Sequence, residues 1–368
     1  MGAWSSSFGI GLASGPLLGG ALVAGDGWRS VFWVNVPIGL AALVLTACCL
    51  PESRTATPRR ADPLGQALVV VLLGGLTFAV IRAPRLGWGA PAVWGCLTAA
   101  VLALFCLVPC ERRRRDPLVD PRFFRSIPFS GSVAVSLVSF AALGGVLFVS
   151  TLYLQDVRGL SALPAGMWML PMPVMTMLLA PLAGRLTGGG RGARLPLVLA
   201  GSAMALSGLM CAAFQTEGSA VLLLVAYGLF GAGIGLVDVP ATALAVSGMP
   251  RSRAGVASGI TMATCRVGVA LGVAVLGAVL SSGLHGPAAA AGAAGFTTAA
   301  HPVRCIVTGC GAAVALAGVL VTSGRAERSA RETAARLAPA DGTAAGPAVP
   351  GPSARPCGRT AGTVAPWP

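Results

Sequence analysis

Two charged residues stand inside long apolar runs of this chain. Asp238 lies in Gly235-Leu236-Val237-Asp238-Val239-Pro240, and Arg266 sits near the middle of the next run. A charge inside a membrane span is costly, so it marks an ion or proton path or a structural pair. Helix rise puts the two at depths that differ by ~5 Å, close enough to pair. The chemistry on offer is protonation, with Asp238 as a proton site whose charge responds to Arg266. The alternatives are a structural ion pair, or an Asp238 that reaches the cytoplasmic interface.

A second group has the character of a binding wall. The span 164–184 carries Met167, Met169, Met172, Met175 and Met177, with Trp168, Pro171 and Pro173 among them. Methionine-rich surfaces adapt to many apolar ligands. Two prolines loosen a helix, which suits a cavity wall better than a lipid face. Met169, Met172 and Met175 therefore read either as the wall of a promiscuous cavity or as apolar filler. Tyr153 and Gln155 close the outer end of the preceding span, as substrate contacts or interfacial anchors. Asn35, with Pro37, either fixes the start of its helix or touches substrate.

Enzyme chemistry finds no support. The two histidines, His285 and His301, flank an alanine-rich loop, and no HExxH, GxSxG or GxxxxGK[ST] pattern occurs. The ten cysteines show no CxxC or Cys/His spacing, so no metal is expected. Most read as small buried hydrophobes. No cofactor is expected.

The elements that must position these residues follow from composition. The 368 residues are 55% hydrophobic and 10% charged, with mean hydropathy +0.80. That describes an all-α polytopic membrane protein. A span needs ~20 apolar residues, and ten are expected: 2–24, 30–50, 64–82, 91–109, 127–152, 164–184, 195–214, 219–246, 254–282 and 302–323. The first carries no basic leader, so no cleaved signal peptide is expected. The remaining 324–368, rich in Ala, Pro, Gly, Thr and Arg, reads as a disordered cytoplasmic tail.

The net charge of +14 comes from 26 arginines and no lysine. Such a balance can signal nucleic acid, but these arginines lie in short loops between spans and read as topology signals. With residue 1 cytoplasmic, 20 of the 26 fall on the cytoplasmic side, including the 111–126 loop. The asymmetry alternates with each crossing, as the positive-inside rule requires. Both termini are then cytoplasmic, in a multi-pass protein of the plasma (inner) membrane. Abundant alanine, glycine and arginine without lysine point to a GC-rich bacterial genome.

The glycine-rich first helix supplies a family. Gly11, Gly15 and Gly19 fall four apart on one helical face, with Pro16 and Gly20 beside it. Such a face lets helices approach backbone to backbone in lipid, and Pro16 removes one donor. A turn at Gly25-Asp26-Gly27 leads into Gly27-Trp28-Arg29-x-Val31-Phe32-Trp33-x-Asn35-x-Pro37-x-Gly39. The Gly15-Pro16-x-x-Gly19-Gly20 core followed by this motif resembles the fifth and sixth helices of fourteen-helix drug:proton antiporters of the major facilitator type. There the glycine-proline helix is called the antiporter motif. The resemblance continues through Pro117-Leu118-Val119-Asp120, Leu152-Tyr153-Leu154-Gln155, and Arg253-Ala254-Gly255-x-Ala257-Ser258-Gly259 to about residue 323.

On that resemblance, 1–50 holds the last two helices of an N-terminal bundle and 51–110 two additional linking helices. Residues 111–126 form an Arg-rich cytoplasmic loop, and 127–323 form a C-terminal six-helix bundle. The implied function is proton-coupled efflux of amphipathic drugs or secondary metabolites by alternating access. The partners would be a small amphipathic substrate, protons and the lipid bilayer. The chain departs from the family in two ways. The family's first four helices are missing, to be supplied by a longer chain or a separate subunit. In the loop Gly184–Arg194, glycine replaces the usual Asp. The alternative is therefore a truncated membrane subunit or remnant that does not transport alone.

Overall fold

The computed structural model describes residues 2–49, 62–87, 89–113, 121–188, 192–213, 220–247, 249, 251–283 and 292–337. Among these the chain is helical throughout. In order the helices are α1 (Gly2–Asp26), α2 (Ser30–Trp33), α3 (Asn35–Cys49), α4 (Pro63–Leu86) and α5 (Pro91–Arg113). They continue with α6 (Ile127–Leu152), α7 (Ala162–Trp168), α8 (Pro171–Leu186), α9 (Arg194–Ala213) and α10 (Ala220–Val246). The last are α11 (Arg251–Gly283), α12 (Gly292–Ala299), α13 (His301–Val321) and α14 (Gly324–Leu337).

Nine helices among the described residues are long and apolar enough to cross a membrane, against the ten expected. The difference is α1. It is a helix of 25 residues, and its stretch Ser14–Gly25 is apolar.

Residues from 127 to 321 form one bundle held by close helix pairs. α6 packs on α11, α8 on α10 and α9 on α13. Small residues make these seams. A Cβ built on Gly268 would lie 2.8 Å from the Leu137 carbonyl oxygen, and one on Gly235 would lie 2.7 Å from that of Thr176. In lipid, where apolar burial no longer drives helices together, such close approach and cross-helix hydrogen bonds supply the association. Thr176 donates to the Gly231 carbonyl at 2.8 Å, and Ser132 donates to that of Ala241 at 2.7 Å.

The expected 164–184 span is broken. α7 ends at Trp168 and α8 begins at Pro171, because proline has no N–H to continue a helix but fits a first turn. α6 runs on through one π-helical turn, Tyr153–Val157.

Outside the bundle, α4 and α5 pack on each other, and α4 lies along α11. α3 has no buried residue. α1 docks on α7 and α8, but not through the expected face. Among the described residues, no heavy atom lies within 4 Å of a Cβ built on Gly11, Gly15 or Gly19. The contact is made by Pro16 and Gly20. A Cβ on Gly20 would lie 2.8 Å from the Ala162 carbonyl oxygen. One residue is about 100° of helical rotation, so the Gly11-Gly15-Gly19 stripe turns away from the helices that its neighbours touch. The turn after α1 is as expected, with Gly27 at a φ of 80°.

The tail expectation is corrected over 324–337, which is the helix α14. Ala326, Ala330 and Thr333 are buried along one face of it. Ser329 Oγ accepts from the Ile127 N–H at 3.2 Å and donates to the Arg125 carbonyl at 2.9 Å. The Ala, Arg and Glu of this stretch are strong helix formers. Reading 324–368 as one composition averaged them with the Pro/Gly-rich remainder. Residues 338–368 lie outside the described residues.

Candidate functional site

Asp238 sits in α10 one turn after Gly235, half-buried, and the adjoining Val237 and Val239 are buried. Arg266 is exposed on α11. The Cys265 thiol lies beside Ser136 of α6 and within electrostatic range of both Asp238 and Arg266. Three helices thus bring a carboxylate, a guanidinium, a thiol and a hydroxyl into one neighbourhood. The Ser139 hydroxyl is buried and has no hydrogen-bond partner among the described residues, and that of Ser136 is buried beside the Cys265 thiol. Unsatisfied buried hydroxyls are costly in an apolar interior, so a polar seam here needs a reason.

A second polar centre lies at the end of the bundle away from the 111–126 loop. The π-helical turn after α6 sets Tyr153 against α12, with its ring centroid 5.9 Å from that of Phe296. Arg158 Nε donates to Tyr153 Oη at 3.3 Å. The Arg158 guanidinium also stands 5.5 Å from the Tyr153 ring centroid and 5.1 Å from that of Trp168, in cation–π range. Behind them is a cavity of about 90 Å³ walled by α6, α9, α10, α12 and α13. Its polar lining includes both tyrosines of the chain, Tyr153 and Tyr227, with Ser150, Ser207, Arg158 and Arg304.

Among the proposed cavity residues, only Tyr153 lines this space. Gln155 is exposed beside it. Met172 has no exposed surface and lies in the seam between α8 and α10, against Gly231. Met169 is 4% exposed and its sulfur accepts from Thr151 at 3.9 Å. These two are packing residues, so the wall reading is corrected for them: at the Gly231 seam the Met172 backbone closes on α10, and both side chains are buried. Met175 is half-buried and faces Gly228. Asn35 is exposed and donates to the Val31 carbonyl at 3.1 Å, which fixes the start of α3.

Sequence reasoning passed over Tyr227, Ser207 and Arg304. It also gives Arg158 no place in a site. The available signal was position, because Arg304 begins its span one turn inside, where an interfacial arginine would sit nearer the end. Among the described residues no group of three His, Cys, Asp or Glu side chains is placed to hold a metal.

The sequence model of the Major Facilitator Superfamily matches residues 1–273. Multidrug resistance protein Stp of Mycobacterium tuberculosis is 39% identical over 284 residues, 77% of this chain and 52% of that protein. The tetracenomycin C resistance and export protein of Streptomyces glaucescens is 37% identical over 288 residues, again 77% and 52%. Multidrug efflux pump LfrA of Mycolicibacterium smegmatis is 30% identical over 280 residues, 76% and 55%. The chain spans about half the length of these relatives. The match over residues 1–273, together with the helical bundle and its glycine seams, makes this chain a member of the Major Facilitator Superfamily.

Proposed function

We propose that this chain is the core of a proton-coupled exporter of small amphipathic molecules in the bacterial plasma membrane, with Asp238 as a proton-carrying group. The relatives are named for drug resistance and efflux. The observation that carries the proton assignment is the half-buried Asp238 within electrostatic range of the buried Cys265, which lies beside Ser136 and next to the exposed Arg266 on α11. A carboxylate in such a place changes charge at a cost that its neighbours tune, and the buried hydroxyls of α6 suit a path for water or protons. Arg266 on α11 would favour the ionised form when close, and release of that contact would favour the protonated form. This is the alternating charge that an antiporter cycle requires.

The test uses everted membrane vesicles from cells expressing the chain, energised to an acid interior, with ethidium as probe. Proton-driven ethidium uptake that Asp238→Asn removes while substrate binding persists supports the reading. Full proton-driven transport by the Asp238→Asn variant overturns the assignment.

A further inference from the structure

α14 lies where the membrane boundary must be. The apolar stretch Gly295–Val321 is long enough to span a bilayer, and α14 begins at Gly324, directly after it. α14 packs on α6, which opens another such stretch at Ile127. Ser329 fastens the two through the Ile127 N–H and the Arg125 carbonyl. A helix tied to the ends of two spans sits at headgroup level. Its residues sort by face. At 100° per residue, the buried Ala326, Ala330 and Thr333 fall within about 60° of one another, and the exposed Arg325, Arg328 and Arg331 fan over about 120° on the opposite side. Arg328 Nε donates to the Gly324 carbonyl at 3.5 Å. In sequence, α14 carries Arg325, Arg328, Arg331 and Arg336 against Glu327 and Glu332, so it is basic. Arg125 is exposed in the turn that α14 touches. On either side of it the bundle leaves two large apolar side chains exposed, Phe124 at 45% and Ile127 at 43%. The Phe124 ring is held edge-on to the buried Phe129, with centroids 5.3 Å apart.

We propose that α14 and the turn before α6 form a binding surface for anionic phospholipids. The phosphates are taken by Arg125, Arg325, Arg328 and Arg331, and the acyl chains begin at Phe124 and Ile127. A guanidinium matches a phosphate with two parallel charge-assisted hydrogen bonds. Its long stem lies along apolar surface while the head stays in the polar layer. A basic cluster beside a membrane span is drawn to an anionic leaflet, with a gain of roughly fivefold per arginine. A zwitterionic lipid brings its own cation to the arginines and loses that gain. A soluble acidic peptide would meet the arginines but leave Phe124 and Ile127 in water. The inference goes beyond the exporter reading. It is measured without transport, so each can fail alone.

The test reconstitutes the full chain in nanodiscs of phosphatidylcholine alone, or of phosphatidylcholine and phosphatidylglycerol in equal parts. Amide hydrogen exchange is followed in 324–337, with α12 at the other end of the bundle as control. Phosphatidylglycerol should slow exchange in 324–337 roughly fivefold or more and leave α12 unchanged. Replacing Arg325, Arg328 and Arg331 together by Gln should remove the difference. Gln is a helix former close to Arg, so this variant should exchange like the parent in phosphatidylcholine discs. Replacing the same three by Lys keeps the charge without the fork and should keep part of the slowing. Glu332→Gln, which leaves the buried face untouched, should enlarge the slowing and tests the charge dependence independently. Three results overturn the proposal: equal exchange of the parent in the two kinds of disc, slowing that the Gln variant retains in full, or the same slowing in phosphatidylcholine discs on adding inorganic phosphate or polyglutamate.

Discussion

Gly166 of α7 lies directly against Pro16 of α1: a Cβ built on Gly166 would stand 2.6 Å from the Pro16 carbonyl oxygen. This contact joins the glycine-proline helix to the 127–321 bundle. Backbone stands on the far side, so the neighbour has no flexible side chain to move. Gly166→Val should therefore loosen α1 from the bundle at a cost of ~1–3 kcal/mol, the range for overpacking. Gly15→Ala and Gly19→Ala, which meet open space, should leave this chain unchanged. Thermal unfolding in detergent, with limited proteolysis at the turn after α1, distinguishes the two outcomes. Equal effects at Gly15 and Gly166 would contradict the docking face.

The methionines of α8 should separate by burial. Met172 is fully buried, so Met172→Ala removes core volume and should cost ~2–5 kcal/mol. Met175→Ala, at a half-buried position, should leave the melting temperature nearly unchanged. Melting curves of the two variants check this. A Met172→Ala protein as stable as the parent would return Met172 to the wall of a binding space.

Thr176 bridges α8 and α10, accepting no substitute of the same shape without a hydroxyl. Its Oγ1 carries one proton and lies 2.8 Å from the Gly231 carbonyl oxygen, the shorter contact, and 3.0 Å from that of Met172 in its own helix. Thr176→Val should cost about 1 kcal/mol, the usual scale for a cross-helix hydrogen bond in lipid. Thr176→Ser should recover most of it. Steric trapping or denaturant titration in micelles reads the difference.

Ser329 stands where a capping residue stands, but on a helix 202 residues away. Ser126, at the ordinary capping position of α6, makes no side-chain cap bond. Ser329→Ala should weaken the start of α6 and the docking of α14 by about 1 kcal/mol, the value of one cap. Hydrogen exchange should then quicken in 324–337 and at Ile127, with the rest of the bundle unchanged. Unaltered exchange would show that α14 is held by Ala326 and Ala330 alone.

Much of the architecture was legible because lipid imposes strict rules. Long apolar runs mark spans at nearly their observed bounds, and the Gly25-Asp26-Gly27 turn falls where α1 ends. Pro171 marked a loosened helix, and the structure shows the break between α7 and α8 there. α14 was hidden because a polar, Arg-rich helix has no membrane signature, and its burial against α6 is a contact over 202 residues of sequence.

For this protein, sequence alone determined the membrane-spanning helical class, the family motif around Pro16, and the presence of charge at 238 and 266. Those features are local: hydropathy, glycine spacing and a charged side chain are all read within one helix. Only the tertiary structure decided which glycines touch, that Met172 is packing, and that Arg158, Arg304 and both tyrosines share one cavity. The reason is geometric. A helix presents each side chain in a direction set by 100° steps, but which neighbour stands in that direction depends on how distant helices pack.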